Sequence, residues 1–246
     1  MKKIKFRMNG DDLAPRRTRM EIPGWAGQPE KRTDGSHEHA WHCVPFSEYA
    51  KYGVEIFYPY ENELHVSKKD GRLILDGDFG APPSPGRSWP PFRDFGGSFY
   101  TYQLLLDLKP EAGYAIKVET HPSFYTDSAG AAPIAVPAII REWWPMIYFL
   151  VFKSPMEGQT HIFRTGTPMA QFTMIPAESD IELEPMSFDE AAERELQARR
   201  IYASRETLGV DSQWLSTSDT VFDGTYRRMH GAAHSAEEKQ KKPRRE

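Results

Sequence analysis

From Ser98 to Ala177 the chain repeats one pattern. "SFYTYQLLLDLKP", "YAIKVETHP", "PIAVPAII", "WPMIYFLVFK", "QTHIFRTG" and "PMAQFTMIPA" are short apolar or alternating runs separated by turn residues. Residues two apart in such runs fall on one face of a strand, so the pattern predicts antiparallel strands joined by tight turns. The spacing suits a β-sandwich, a jelly roll or a small barrel. Twenty prolines and eighteen glycines favour the same mainly β reading, and a 246-residue chain with 39% hydrophobic residues can fill a substantial core.

The flanks follow the same logic. "KKIKFR" alternates basic and apolar residues and predicts an edge strand, while the polar, turn-rich stretch after it reads as loop. "YGVEIFYPY" predicts a strand, and "NELHVSKKDGRLILDG" a hairpin turning on Asp70-Gly71. The proline- and glycine-rich residues 80–97 are expected to form a long loop. "SFDEAAERELQARR" opens with a capping box, Ser187 three before Glu190, and predicts a C-terminal helix from residue 188 to about 206. The expected organisation is a β-rich core over residues 1–186, a helix and extension packing on it over 187–234, and a disordered charged tail over 235–246.

Charge and cysteine content narrow the function. A net charge of −4 gives no general attraction to nucleic acid or to an anionic membrane. One cysteine excludes an intramolecular disulfide framework, and the basic start "MKKIKFRMNGDD" has no apolar stretch behind it, so a cytoplasmic setting is expected. The most apolar segment, "PAIIREWWPMIYFLVF", is broken by Arg141, Glu142 and Pro145 and reads as a pair of core strands, with no membrane partner. Trp143 and Trp144, if on one strand, face opposite ways, so that one is core and the other caps a pocket or covers an interface. No Walker loop, dinucleotide fingerprint or nucleophile elbow is present.

"GSHEHAWHC" carries His37, His39 and His42 beside Cys43. On a strand His37 and His39 share a face, and with His42 or His121 they could hold zinc, iron or manganese. Glu38 would face the other way, and Cys43 has no cysteine partner at zinc-site spacing. The alternative is a hydrated loop with ordinary surface histidines.

Four segments occur in an order that resembles dUTPase and dCTP-deaminase-like proteins. "AKYGVEIFYP" resembles their first motif, with Glu55 at the position of its aspartate. "KPEAGYAIKVETHPS" is similar to the turn and strand before their Arg-Ser-Gly loop, here occupied by His121, Pro122 and Ser123. "PAIIREWWP" lies where they have a Gly-Val-Ile-Asp strand end, and "FRTGTPMAQFTMIP" resembles the entry to their last core strand. The resemblance implies a β-clip or distorted jelly-roll fold, commonly trimeric, with a nucleotide or metabolite held by Ser123 and Gln171. Arg141 and Glu142 stand near the place of the water-positioning aspartate, and "FGGSFY" precedes the core instead of following it as a glycine-rich arm, so dUTP hydrolysis is not expected. The whole chain also resembles a family of bacterial and phage proteins without an assigned activity, through Trp41 to Pro45, Trp143 to Pro145 and Gly166 to Gln171.

Three functions remain open. The first is a small polar ligand held by Glu55, Ser123, Arg141, Trp144 and Gln171, where "THPS", "REWWP" and "TPMAQ" converge. The second is a metal-dependent enzyme using His37, His39, His42 and His121. The third is a phage or bacterial structural protein, in the virion if phage-encoded.

Overall fold

A computed structural model describes residues 2–8, 13–21, 43–77, 91–104, 106–127, 130–144, 148–203, 214–215 and 221–222. The fold is mainly β, and every strand pairing among these residues is antiparallel. Two compact units emerge, residues 1–28 with 48–179 and residues 29–47 with 180–246.

The first unit holds most of the strands. β1 (Ile4–Met8) pairs with β8 (Leu106–Pro110). A five-stranded sheet runs β10 (Ala138–Arg141), β9 (Tyr114–Thr120), β13 (Pro168–Pro176), β3 (Val54–Phe57), β2 (Arg16–Arg17). A three-stranded sheet runs β11 (Tyr148–Lys153), β7 (Phe99–Leu104), β6 (Phe92–Phe95). Another runs β12 (Thr160–Phe163), β4 (Leu64–Lys69), β5 (Arg72–Asp76). None of them closes into a barrel.

The hairpin expected at Asp70-Gly71 is present, with both residues at positive φ (50° and 73°). Two successive positive φ values match a type I′ turn, whose twist suits the flanking strands. Three expectations change. Residues 92–95, at the end of the stretch read as a loop, form β6, because Phe92 is buried and stacks on Tyr102 at 4.8 Å. The two halves of "PAIIREWWPMIYFLVF" join different sheets, β10 as an exposed edge and β11 as a buried strand. The polar stretch read as loop contains β2, which pairs with β3.

The core is aromatic. Tyr100 stacks on Phe152 at 5.3 Å, and Phe163 meets Tyr58, Phe92, Tyr100 and Phe152. Burying each such ring contributes about 1.5–3 kcal/mol. A histidine buried beside these rings is satisfied: His161 Nδ1 lies 2.9 Å from the Tyr100 hydroxyl, and burial lowers the His161 pKa to about 4, which keeps the ring neutral.

A short helix, α1 (Val44–Tyr49), precedes β3, and the second unit contains α2 (Phe188–Ala203) and the short pair β14 (Trp214–Leu215) and β15 (Val221–Phe222). The capping box forms as expected: Glu190 N–H donates to Ser187 Oγ (3.3 Å), and Ser187 N–H to Glu190 Oε2 (2.9 Å). The tail over 235–246 lies outside the described residues. No helix among the described residues is long and apolar enough to cross a membrane.

Candidate functional site

Registers across the five-stranded sheet line up a row of polar residues. Arg16 on β2 is the partner of Glu55 on β3, Glu55 of Gln171 on β13, and Gln171 of Glu119 on β9. Cross-strand partners share a face, and the neighbouring Ile56, Ala170, Phe172 and Val118 belong to the apolar core on the other face. The polar face is closed over all the same. Glu55, Gln171 and His121, the residue after β9, are each 0% exposed.

Glu55 is the hub. Its Oε2 accepts from Arg16 Nε at 2.5 Å, and its Oε1 accepts from the Arg19 backbone N–H at 3.1 Å and lies 3.4 Å from His121 Nε2. Burial alone would raise the Glu55 pKa. The hydrogen bonds from His121, Arg16 and the Arg19 amide outweigh burial and hold the carboxyl below its ordinary value. Arg16 also reaches Glu21 at 2.9 Å and lies over the Phe57 ring.

β9 delivers His121 into this hub and then bends. His121 is extended (φ −63°, ψ 137°) and caps a 3-10 turn over Pro122–Thr126. Proline at the first turn position has no N–H to leave unsatisfied, so the Ser123 N–H is the donor that needs the cap. It donates to His121 Nδ1 at 3.2 Å, and Ser123 Oγ lies 2.6 Å from the same nitrogen. Ser123 keeps partial access to solvent. On the other side of the row Gln171 Nε2 donates to the Tyr49 carbonyl at 3.2 Å, while its buried Oε1 has no hydrogen-bond partner among the described residues. Gly53 leaves room for that side chain: a Cβ there would stand 2.4 Å from Gln171 Cγ.

The sequence-derived site is therefore divided. Glu55, His121, Ser123 and Gln171 come together, whereas Arg141 pairs with Ala115 on β9, four residues from the Glu119 that faces Gln171. At the rise of a strand those positions are roughly 13 Å apart, so "REWWP" does not converge with "THPS" and "TPMAQ". Arg141 instead donates to Glu178 at 2.6 Å. Arg16, Arg19 and Tyr49 were missed because nothing in "APRRTRM" or "SEYAKYG" marks a site before the sheet is assembled.

Trp144 stands elsewhere too. Trp143 and Trp144 follow β10 in a tight turn closed by the Trp144 N–H to the Arg141 carbonyl (3.0 Å), so the two faces of a strand do not apply. Both rings are exposed, 73% and 48%, with centroids 5.7 Å apart. They line a surface cavity of about 400 Å³ with Asp107, Lys109, Glu142 and buried Tyr148, whose hydroxyl donates to the Leu108 carbonyl.

His37, His39 and His42 lie outside the described residues. Among the described residues no group of three histidine, cysteine, aspartate or glutamate side chains is placed to hold a metal ion. The ring nitrogens of His121 face Ser123 and Glu55. No protein-family model matches the chain, and no curated protein shows significant similarity to it.

Proposed function

We propose that the protein binds a small polar ligand with one flat apolar face in the Trp143–Trp144 cavity. The exposed tryptophan pair carries this reading. Solvent-facing indole surface on a tight turn costs hydration free energy, whereas a ring or sugar face laid on it recovers that cost. The cavity volume fits a metabolite-sized ligand.

Its walls select the charge. Asp107 and Glu142 supply acceptors, and Lys109 lies 3.8 Å from Glu142 while Arg7 holds Asp107 at 3.2 Å. Each cation is already matched by a carboxylate, so a polyphosphate would find no unmatched positive charge there. A neutral nucleoside- or sugar-like ligand fits better than a nucleoside triphosphate, and dUTP turnover is not expected.

Tryptophan fluorescence titration with nucleosides, nucleotides and sugars tests this. Trp144→Ala should weaken the binding found by about 1–3 kcal/mol, the value of one stacked ring. A panel without any response, or unchanged affinity in Trp144→Ala, would remove the reading.

A second reading rests on residues 181–188. Ile181, Leu183, Met186 and Phe188 are 76%, 92%, 59% and 88% exposed. Exposed apolar side chains in one short stretch of chain suit assembly with other protein, as a structural role or a homo-oligomer would require. Sedimentation across a concentration series, with Leu183→Ser and Phe188→Ser, separates assembly from a plain monomer.

A further inference from the structure

We infer that Ser123 is a nucleophile, activated by His121 over Glu55 in a hydrolytic relay that takes activated carboxylic esters. This site is separate from the tryptophan cavity and does not rest on the ligand proposed there.

The direction of each proton follows from the geometry. An amide N–H can only donate, so the 3.2 Å contact from Ser123 N–H makes His121 Nδ1 an acceptor and places the ring proton on Nε2. Glu55 Oε1 lies 3.4 Å from Nε2, an ionic contact outside hydrogen-bond alignment, and the 2.6 Å contact between Ser123 Oγ and Nδ1 is the serine hydroxyl donating to the ring. A hydroxyl aimed at an unprotonated imidazole nitrogen, with a carboxylate behind the opposite N–H, is the arrangement that makes a serine nucleophilic. The ring nitrogens exchange their usual roles, which leaves the proton path intact.

Burial grades along the same line. Glu55 and His121 are closed to solvent, and Ser123 at the end of the line is partly open. A histidine that only capped the 3-10 turn would need one acceptor nitrogen and no buried carboxylate behind it. Here Arg16 and the Arg19 amide keep Glu55 ionised, ready to stabilise the imidazolium that forms when the serine proton moves.

The reaction balances with water as its only co-reactant. Ser123 Oγ bonds to the ester carbonyl carbon while its proton passes to His121 Nδ1. Collapse of the tetrahedral adduct breaks the bond to the leaving oxygen, or to sulfur in a thioester, which takes that proton. Water, deprotonated by Nδ1, then attacks the acyl-serine; Oγ leaves with the proton, and a carboxylic acid is released. Substrate choice follows from the backbone. Ser123 N–H is committed to His121 Nδ1 and Phe124 N–H to the His121 carbonyl (3.0 Å), so neither stabilises an oxyanion, and the leaving group must be a good one. Aryl esters and thioesters meet that requirement; amides do not.

The test uses the full chain with p-nitrophenyl acetate and a fluorophosphonate. The expected result is a single phosphonyl adduct on Ser123 by peptide mass spectrometry and p-nitrophenolate release that Ser123→Ala abolishes. His121→Gln should slow both by about 100-fold or more, the usual scale for losing a general base. Thermal melting checks that each variant is folded. Should His121→Gln unfold, Ser123→Cys replaces it, and its alkylation by iodoacetamide at neutral pH should outpace that of Cys43. No adduct at Ser123 under excess probe, equal labelling of a folded His121→Gln, or alkylation of Ser123→Cys no faster than Cys43 would overturn the proposal.

Discussion

His121 Nε2 and Glu55 Oε1 lie 3.4 Å apart with both side chains closed to solvent, although they are 66 positions apart in the chain. Strand order brings them together: β13 lies between β3, which carries Glu55, and β9, which ends just before His121. A buried carboxylate is tolerable only when its lone pairs meet donors, which Arg16 and the Arg19 amide provide, with His121 in ionic contact beside them.

Glu55→Ala removes the acceptor and leaves these donors facing a void. The expected loss is roughly 3–5 kcal/mol, the scale for breaking a buried charged pair, with Glu55→Gln losing less because it keeps the volume and one acceptor oxygen. Urea unfolding followed by tryptophan fluorescence measures it through the midpoint. A Glu55→Ala midpoint equal to the wild type would show that this hub does not hold the sheet together.

Acid should destabilise the protein in two stages. The His161 pKa is near 4 in the fold against an ordinary 6.5, so the unfolded chain binds the extra proton first and stability falls as pH drops through that window. The slope there reaches up to about 1.4 kcal/mol per pH unit for one group. Glu55 acts in the opposite chemical sense with the same outcome: its lowered pKa contributes stability above the ordinary carboxylate value of 4.5, lost as pH falls through the lower folded value. Melting temperatures from pH 7.5 to 3.5 trace both stages. His161→Gln should flatten the first, and an unchanged slope in that variant would assign the loss to other groups.

Gly53→Ala should cost about 1–3 kcal/mol, as overpacking does, because the new methyl stands 2.4 Å from Gln171 Cγ and 3.0 Å from the Phe172 carbonyl. Pairing it with Gln171→Ala should recover part of that loss. Strict additivity in the double-mutant cycle would mean that the two residues do not meet.

Gly71→Ala probes backbone conformation alone. Gly71 sits at φ 73° with nothing within 4 Å of a built Cβ, so the expected cost is about 1–2 kcal/mol from the left-handed backbone. Differential scanning calorimetry should show a melting temperature lower by roughly 2–8 °C. A larger drop would point to a lost contact instead.

What is local was legible in the sequence. Alternating apolar residues placed the strands between Phe99 and Pro176, Asp70-Gly71 placed a hairpin, and the Ser187–Glu190 pair placed the start of α2, because each signal and the structure it forms lie within a few residues. The site was legible in part. Glu55, Ser123 and Gln171 stood out by resemblance, but Arg16 sits on a two-residue strand in a polar stretch whose character gives no sign of its partner. Trp143 and Trp144 were expected to split between core and surface on the assumption of a strand, and the turn at Arg141–Trp144 exposes both.

The sequence by itself determined that this chain is mainly β with a C-terminal helix, since hydrophobic period, turn chemistry and capping are properties of neighbouring residues. Only the tertiary structure decided that Arg16, Glu55 and Gln171 form one row with His121 and Ser123 at its end, and that Arg141 stands four positions along β9 from it. Strand order and register set those distances, and they follow from how whole strands bury their faces against one another, which no single stretch of sequence encodes.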